Sequence, residues 1–176
     1  MKHAQRGLSF VEAAATLAIL AIAASIALPG FGDLLQRRHT EGIASELASD
    51  LQYLRSEAVA RNRPLRASFA TLPDGGSCYV LHSGPAGDCR CQPAGPTRCG
   101  PGSQALKSVV LPPGGRSSIL ANVPSILYDP RHGSSSPAAT IRVVGNDGRA
   151  IHHVVNIMGR VRSCSPAGAI NGYREC

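Results

Sequence analysis

The sequence predicts an α+β domain, with one long N-terminal helix followed by an antiparallel β-sheet. Three observations predict it. Positions 8–28 form an apolar run of 21 residues, and a helix-periodic amphipathic stretch follows to Asn62. From Pro64 onward, short β-branched runs alternate with Gly, Pro, Ser and Asp. One helix followed by many short strands implies a sheet that closes over the helix.

The apolar run comes first. An α-helix rises about 1.5 Å per residue, so the run spans roughly 30 Å, the thickness of a bilayer core. Glu12 is its single charge. A carboxylate at that depth costs on the order of 2.5–3.5 kcal/mol and is a functional residue by default, with a cation at the same depth as its natural partner. Cutting the chain after Gly7 creates such a cation, the α-amine of Leu8. An ordinary secretory signal with Ala21-Ile22-Ala23 as its cleavage site is the competing reading. The charge inside the run argues against it, as does a length beyond the roughly 7–15 residues usual for such signals. A plain membrane anchor leaves Glu12 unexplained.

Pro29, Gly30 and Gly32 weaken the helix next. Helical patterning then resumes, with Ile43, Leu47, Leu51, Leu54 and Ala58 on one face. Arg37, Arg38, Glu41, Asp50, Glu57 and Arg61 lie mostly off that face. Asn62 and Pro64 are the stop signals. The two halves together make a broken helix on the order of 80 Å long.

Strands are expected over 65–70, 78–82, 108–111, 117–120, 126–128, 140–144, 151–157 and 160–164. Gly145-Asn146-Asp147-Gly148 reads as a hairpin turn. The stretch 84–102, rich in Gly, Pro and Cys, reads as a surface loop.

At 176 residues the chain supports one modest domain plus the anchor. It is basic, with a formal net charge of +7 that falls to +5 once Lys2 and Arg6 are removed with the leader. Aromatics make up 4% and Trp is absent, which argues against a base-stacking surface for single strands.

Six cysteines in a chain that leaves the cytoplasm read as disulfides. Cys78, Cys89, Cys91 and Cys99 crowd into the loop and its approach, while Cys164 and Cys176 close the C-terminal tail. The parsimonious split of the possible pairings joins Cys164 to Cys176 and leaves two bridges in the loop. A metal site from the four loop cysteines and His82 is the alternative. Cys89-Arg90-Cys91 lacks the spacing of structural zinc, so no metal is expected. His39, His82, His132, His152 and His153 show no spacing tied to a second ligand, and on a strand His152 and His153 point to opposite faces. No triad or carboxylate pair stands out, and the chain reads as a non-enzyme without a small-molecule cofactor.

Gly159-Arg160-Val161-Arg162-Ser163-Cys164 is the most informative stretch outside the anchor. On a strand Arg160 and Arg162 share one face, about 7 Å apart. Guanidinium forks match phosphate geometry, so the pair suits successive phosphates or a single phosphate clamp. A Cys164–Cys176 bridge folds Arg174 back toward them, and Arg142 and Arg149 on the preceding hairpin extend the patch. The bland alternative is a solvated strand face.

Lys2 and Arg6, Gly7, Leu8, Glu12 as the fifth residue after the cut and Pro29 as the twenty-second together resemble a type IV prepilin. The departure is Leu8, where Phe is usual. Gly159-Arg160-x-Arg162 with its cysteine-closed tail resembles the C-terminal signature of the FimT branch of the GspH/FimT minor pilins. The stretch Tyr128-Asp129-Pro130-Arg131-His132-Gly133 is also similar to that family's soluble domain.

The resemblance implies a pilin-like fold divided into a leader 1–7, a transmembrane and fibre-core helix 8–28, its amphipathic continuation 29–62, and a β-rich domain 63–176. That domain carries a disulfide-bonded loop 78–99 and a tail 164–176. Prepilin peptidase would cut after Gly7 and methylate Leu8. The protein would sit in the bacterial inner membrane as a single pass with its soluble domain in the periplasm, and join other pilins in a pilus or pseudopilus. Arg160, Arg162 and Arg174, helped by Arg142 and Arg149, would bind DNA non-specifically for uptake in natural transformation. The alternatives are an H-type pseudopilin of a type II secretion system and a structural minor pilin that primes assembly.

Overall fold

The computed structural model describes residues 9–93 and 95–176, and for residues 26–29 the backbone alone. It divides into two compact units, Met1–Leu35 and Gln36–Cys176. Helix α1 (Phe10–Ala60) runs through both. The expected weak point is a bend rather than an end: helical structure continues across Pro29, Gly30 and Gly32, and the segments Phe10–Ser25 and Gly30–Ala60 meet at 42°. Such residues cost a helix stability without ending it when good helix formers flank them.

Among the described residues of the first unit, the large apolar side chains of α1 are exposed. Phe10 is 88% exposed, and Val11, Leu17, Ile19, Leu20 and Ile22 are exposed with it. A helix that is apolar all round needs lipid or other helices around it. Its hydroxyls are satisfied internally, with Thr16 Oγ1 donating to the Ala13 carbonyl and Ser25 Oγ to that of Ile22. No single helix among the described residues is long and apolar enough to cross a membrane. The segments Phe10–Ser25 and Gly30–Ala60 meet the requirement together, by length and composition.

In the second unit the stripe Ala44, Leu47, Leu51, Leu54 and Ala58 is fully buried, at the i, i+3, i+4 spacing of one helix face. Ile43, expected on that face, is only partly buried. The helix ends in a Schellman motif: the Arg63 N–H donates to Ala58 O and the Asn62 N–H to Val59 O, with Asn62 left-handed at φ 48°. Pro64 follows and prevents continuation.

Twelve strands follow among the described residues: β1 (Leu65–Thr71), β2 (Ser77–Ser83), β3 (Cys89–Arg90), β4 (Arg98–Cys99), β5 (Ala105–Leu111), β6 (Ser117–Ala121), β7 (Ser125–Tyr128), β8 (Ser135–Ser136), β9 (Ala139–Gly145), β10 (Ala150–Val155), β11 (Val161–Ser165) and β12 (Arg174–Glu175). They form two five-stranded sheets, ordered β5-β2-β1-β7-β8 and β12-β11-β10-β9-β6, and the small β3–β4 pair. The single antiparallel sheet expected from sequence is therefore two, and β11 with β12 is a parallel pair. Alternation says which face a strand buries but not which strand it bonds. Ala67, Tyr79, Leu81, Ile126 and Tyr128 of the first sheet and Ile141, Val143, Ile151 and Val155 of the second join the helix stripe in one core.

One polar cluster is built into that core. Asp50, expected off the buried face, is 8% exposed. It accepts from Tyr79 Oη at 2.6 Å and from Lys107 Nζ at 2.9 Å. Burial, and then the Asp50 carboxylate, push the Tyr79 phenol well above its ordinary range.

Candidate nucleic-acid interface

The basic C-terminal motif begins in a turn. Strand β10 ends at Val155 and β11 starts at Val161, so Arg160 lies in the connection rather than on the strand where alternation placed it. The Gly159 N–H donates to Asn156 O at 2.8 Å, the Asn156 N–H to Arg160 O at 3.1 Å, and the Arg160 N–H to Asn156 Oδ1 at 3.0 Å. Gly159 is left-handed at φ 72°, the conformation a tight hairpin of this kind asks of a glycine.

A second reason for glycine is crowding. A Cβ on Gly159 would collide with the carbonyl oxygen of Gly133 and reach 3.0 Å from Arg55 Nε. Gly133 ends the Tyr128-to-Gly133 stretch, whose turn is tied by the Gly133 N–H to Asp129 O and the Arg131 N–H to Asp129 Oδ1. Gly133 O accepts from Arg55 Nε at 2.7 Å. Ser135 Oγ donates to Asn156 O at 2.6 Å, and the Ser135 N–H to Ile157 O. Helix, turn and hairpin are thus bonded to one another around the arginines. Tyr128 lies beneath, and burial raises its phenol to about 12, with the Arg55 guanidinium acting in the opposite direction.

The expected arginines do not all converge. Arg160 and Arg162 line one cleft of about 700 Å³, with Arg55 and Val59 of α1 on its other wall. Arg162 and Arg174 line a neighbouring groove of about 720 Å³. Arg174 reaches it because β12 pairs with β11 at Cys164, next to the bridge to Cys176. Cross-strand pairing places Arg142, His152, Cys164 and Arg174 in one row on the same face of the second sheet. Arg142 is therefore on the arginine face but two strands, about 10 Å, from β11. Arg149 stands apart: it is in the β9–β10 turn, paired with Asp147 at 2.8 Å, which neutralises it where sequence reading had it extend the patch. Arg55 was not singled out by sequence, where it is one more charge on a helix.

His152 and His153 divide as alternation requires. His153 is buried, with Nδ1 2.9 Å from Ser163 Oγ, and burial lowers it to about 4. His152 stays part-exposed beside Arg142. Burial first, and then that guanidinium, lower its pKa.

Of the processing residues, Gly7 and Leu8 lie outside the described residues. Glu12 forms a capping box with Ser9: its N–H donates to Ser9 Oγ at 3.2 Å, and its Oε2 accepts from the Ser9 N–H at 3.4 Å. The carboxylate therefore has a local partner within its own chain, which sequence reading did not assign. The cysteines pair as Cys78–Cys91, Cys89–Cys99 and Cys164–Cys176. Among the described residues no group of three or more His, Cys, Asp or Glu side chains could hold a metal.

The profile of the family described as Type II transport protein GspH matches residues 44–159, well over half of the chain, and stops just before Arg160. Two crystal structures of the Pseudomonas aeruginosa PAO1 type IV minor pilin FimU share the fold. One, in space group P65, has a TM-score of 0.52 at 18% identity, covering 74% of this chain and 99% of that one. The other, in space group P21, has a TM-score of 0.54 at 18% identity, covering 76% and 97%. No curated protein matches the sequence. The long helix packed on antiparallel sheets agrees with the profile: this chain belongs to the GspH family, structural and non-enzymatic minor pilins and pseudopilins.

Proposed function

We propose that this protein is a minor pilin of a type IV pilus that binds DNA without reading its sequence, for uptake in natural transformation. The observation that carries the reading is the pair Arg160 and Arg162 on one cleft, with Arg174 joined to Arg162 across the next groove. Guanidiniums in series suit a phosphate backbone, a contact that positions a protein on DNA without carrying sequence information. Arg142 extends the contact along the sheet.

Prepilin peptidase cuts after Gly7 and methylates Leu8 in this reading. The protein is held in the inner membrane as a single pass, with the β-rich domain in the periplasm. In the fibre, residues 8–28 pack against neighbouring subunits. Glu12 exchanges its Ser9 contact for a neighbour's α-amine, which sets the axial register.

A gel shift on a random-sequence duplex across a salt series tests the DNA assignment. Affinity should fall with salt at a slope near −0.9 per phosphate neutralised, and the Arg160→Ala/Arg162→Ala protein should lose most of its retention. Unchanged retention in the double variant sinks it. The second reading, a pseudopilin of a type II secretion system, is favoured by the family's own description. There the same arginines meet a neighbouring pseudopilin or a secreted substrate, and DNA is not retained.

A further inference from the structure

The cleft that holds Arg160 and Arg162 has a second wall, and that wall carries a third cation. Arg55 projects from α1 into the same space. Its Nε is committed to the Gly133 carbonyl, a neutral acceptor that orients the guanidinium and leaves its charge uncompensated. The other arginines of this stretch of helix are treated differently. Arg37 and Arg38 both pair with Glu41, and Arg61 pairs with Glu57. Among the described residues no carboxylate lies within ion-pair distance of Arg55, Arg160 or Arg162.

Three cations drawn into one concave space without a counter-charge repel one another, and low-dielectric walls concentrate their field. That arrangement favours an anion. Of the remaining lining, Gln52 offers a neutral amide that can donate to a sugar or phosphate oxygen, and Val59 an apolar surface. The Ser56 hydroxyl is committed to the Tyr53 carbonyl at 2.8 Å. Guanidinium forks bind phosphate and carboxylate oxygens alike, and a tetrahedral phosphodiester turns its two non-bridging oxygens in different directions, which suits arginines carried on separate elements.

We infer that this cleft seats one phosphodiester of the bound nucleic acid, with Arg55 as a direct ligand beside Arg160 and Arg162. The inference rests on the DNA-binding reading and deepens it. It assigns to the helix a contact that the C-terminal motif alone does not contain, in residues on opposite sides of the hairpin turn.

The test uses the detergent-solubilised full chain and a random-sequence duplex oligonucleotide. Wild type, Arg55→Gln, Arg55→Lys, Gln52→Glu and Arg160→Ala/Arg162→Ala are compared across a salt series. Arg55→Gln should weaken binding about tenfold at low salt and flatten the salt slope by about 0.9, one phosphate contact. Arg55→Lys, which keeps the charge and loses the fork, should keep the slope. Gln52→Glu places a carboxylate in the cleft one helical turn from Arg55, a counter-charge for the arginines, and should weaken binding as well.

If Arg55→Gln and Gln52→Glu bind with the wild-type slope while the double variant loses DNA, Arg55 only props the turn and the inference is overturned, though the DNA reading stands. If the double variant binds as wild type does, the DNA reading and the inference fail together. Retention of an acidic peptide, dependent on Arg55, by a protein that ignores DNA also overturns it, in favour of a protein partner.

Discussion

Gly159 abuts Gly133: any side chain on the first would enter the carbonyl oxygen of the second, the same oxygen that accepts from Arg55 Nε. This contact makes the glycine of the Gly-Arg-x-Arg motif a structural residue that aims the arginines after it. Left-handed φ and crowding act at one position, so Gly159→Ala should destabilise the domain by about 1–3 kcal/mol. The midpoint of urea unfolding at constant m-value measures it. A shift within error would show that the turn relaxes freely.

The Cys164–Cys176 bridge closes the tail that carries Arg174. A loop of this length contributes roughly 3 kcal/mol in the chain-entropy model. Cys164→Ser/Cys176→Ser should lose stability of that order and weaken DNA binding less than Arg160→Ala/Arg162→Ala does. Buried Ile170 still packs the tail against the core, so the loss should be partial. Hydrogen exchange over 166–176 is the direct measurement, with faster exchange expected there.

Asp50 accepts from both Tyr79 and Lys107 inside the helix–sheet interface. Asp50→Ala leaves a buried phenol without its partner and should cost about 2 kcal/mol, discounted because Lys107 is partly exposed. Asp50→Ala/Tyr79→Phe should recover part of the loss. Additive losses in that cycle would show that the pair is not coupled.

His153 titrates near 4 when folded and near 6.5 when unfolded. The unfolded chain therefore binds the proton first as pH falls. This contribution leaves stability whole above about pH 6.5 and removes it progressively down to about pH 4, by roughly 3 kcal/mol in all. His82, lowered first by burial, acts with the same sign. Urea midpoints at neutral and mildly acidic pH, in wild type and His153→Gln, give the slope. The variant should lose most of it.

His152 lies between Arg142 and Cys164 on the arginine face. Its lowered pKa keeps it neutral at neutral pH, and acidification adds a cation to the patch. DNA retention should therefore rise as the solution is acidified below the ordinary imidazole range, and His152→Gln should reduce the rise. An equal rise in the variant would place the proton elsewhere.

Periodicity and composition were enough to write the helix and most of the strands, because both follow from where apolar side chains recur along one chain. Leu47, Leu51, Leu54 and Ala58 are buried as their spacing says. The helix stop at Asn62 and the antiparallel hairpin at 145–148 follow equally from local backbone chemistry. The family resemblance, too, rests on residues read in order.

Only the tertiary structure decided which strands are neighbours and which charges meet. The division into two sheets, the parallel β11–β12 pair and the removal of Arg149 from the patch by Asp147 all depend on contacts between segments distant in sequence or on side-chain pairing within a turn. Arg55 is separated from Arg160 by more than a hundred residues, and no periodicity links a helix position to a hairpin turn on another layer. Local patterns report what each segment buries. The convergence of like charges on one cleft is a property of the packed chain alone.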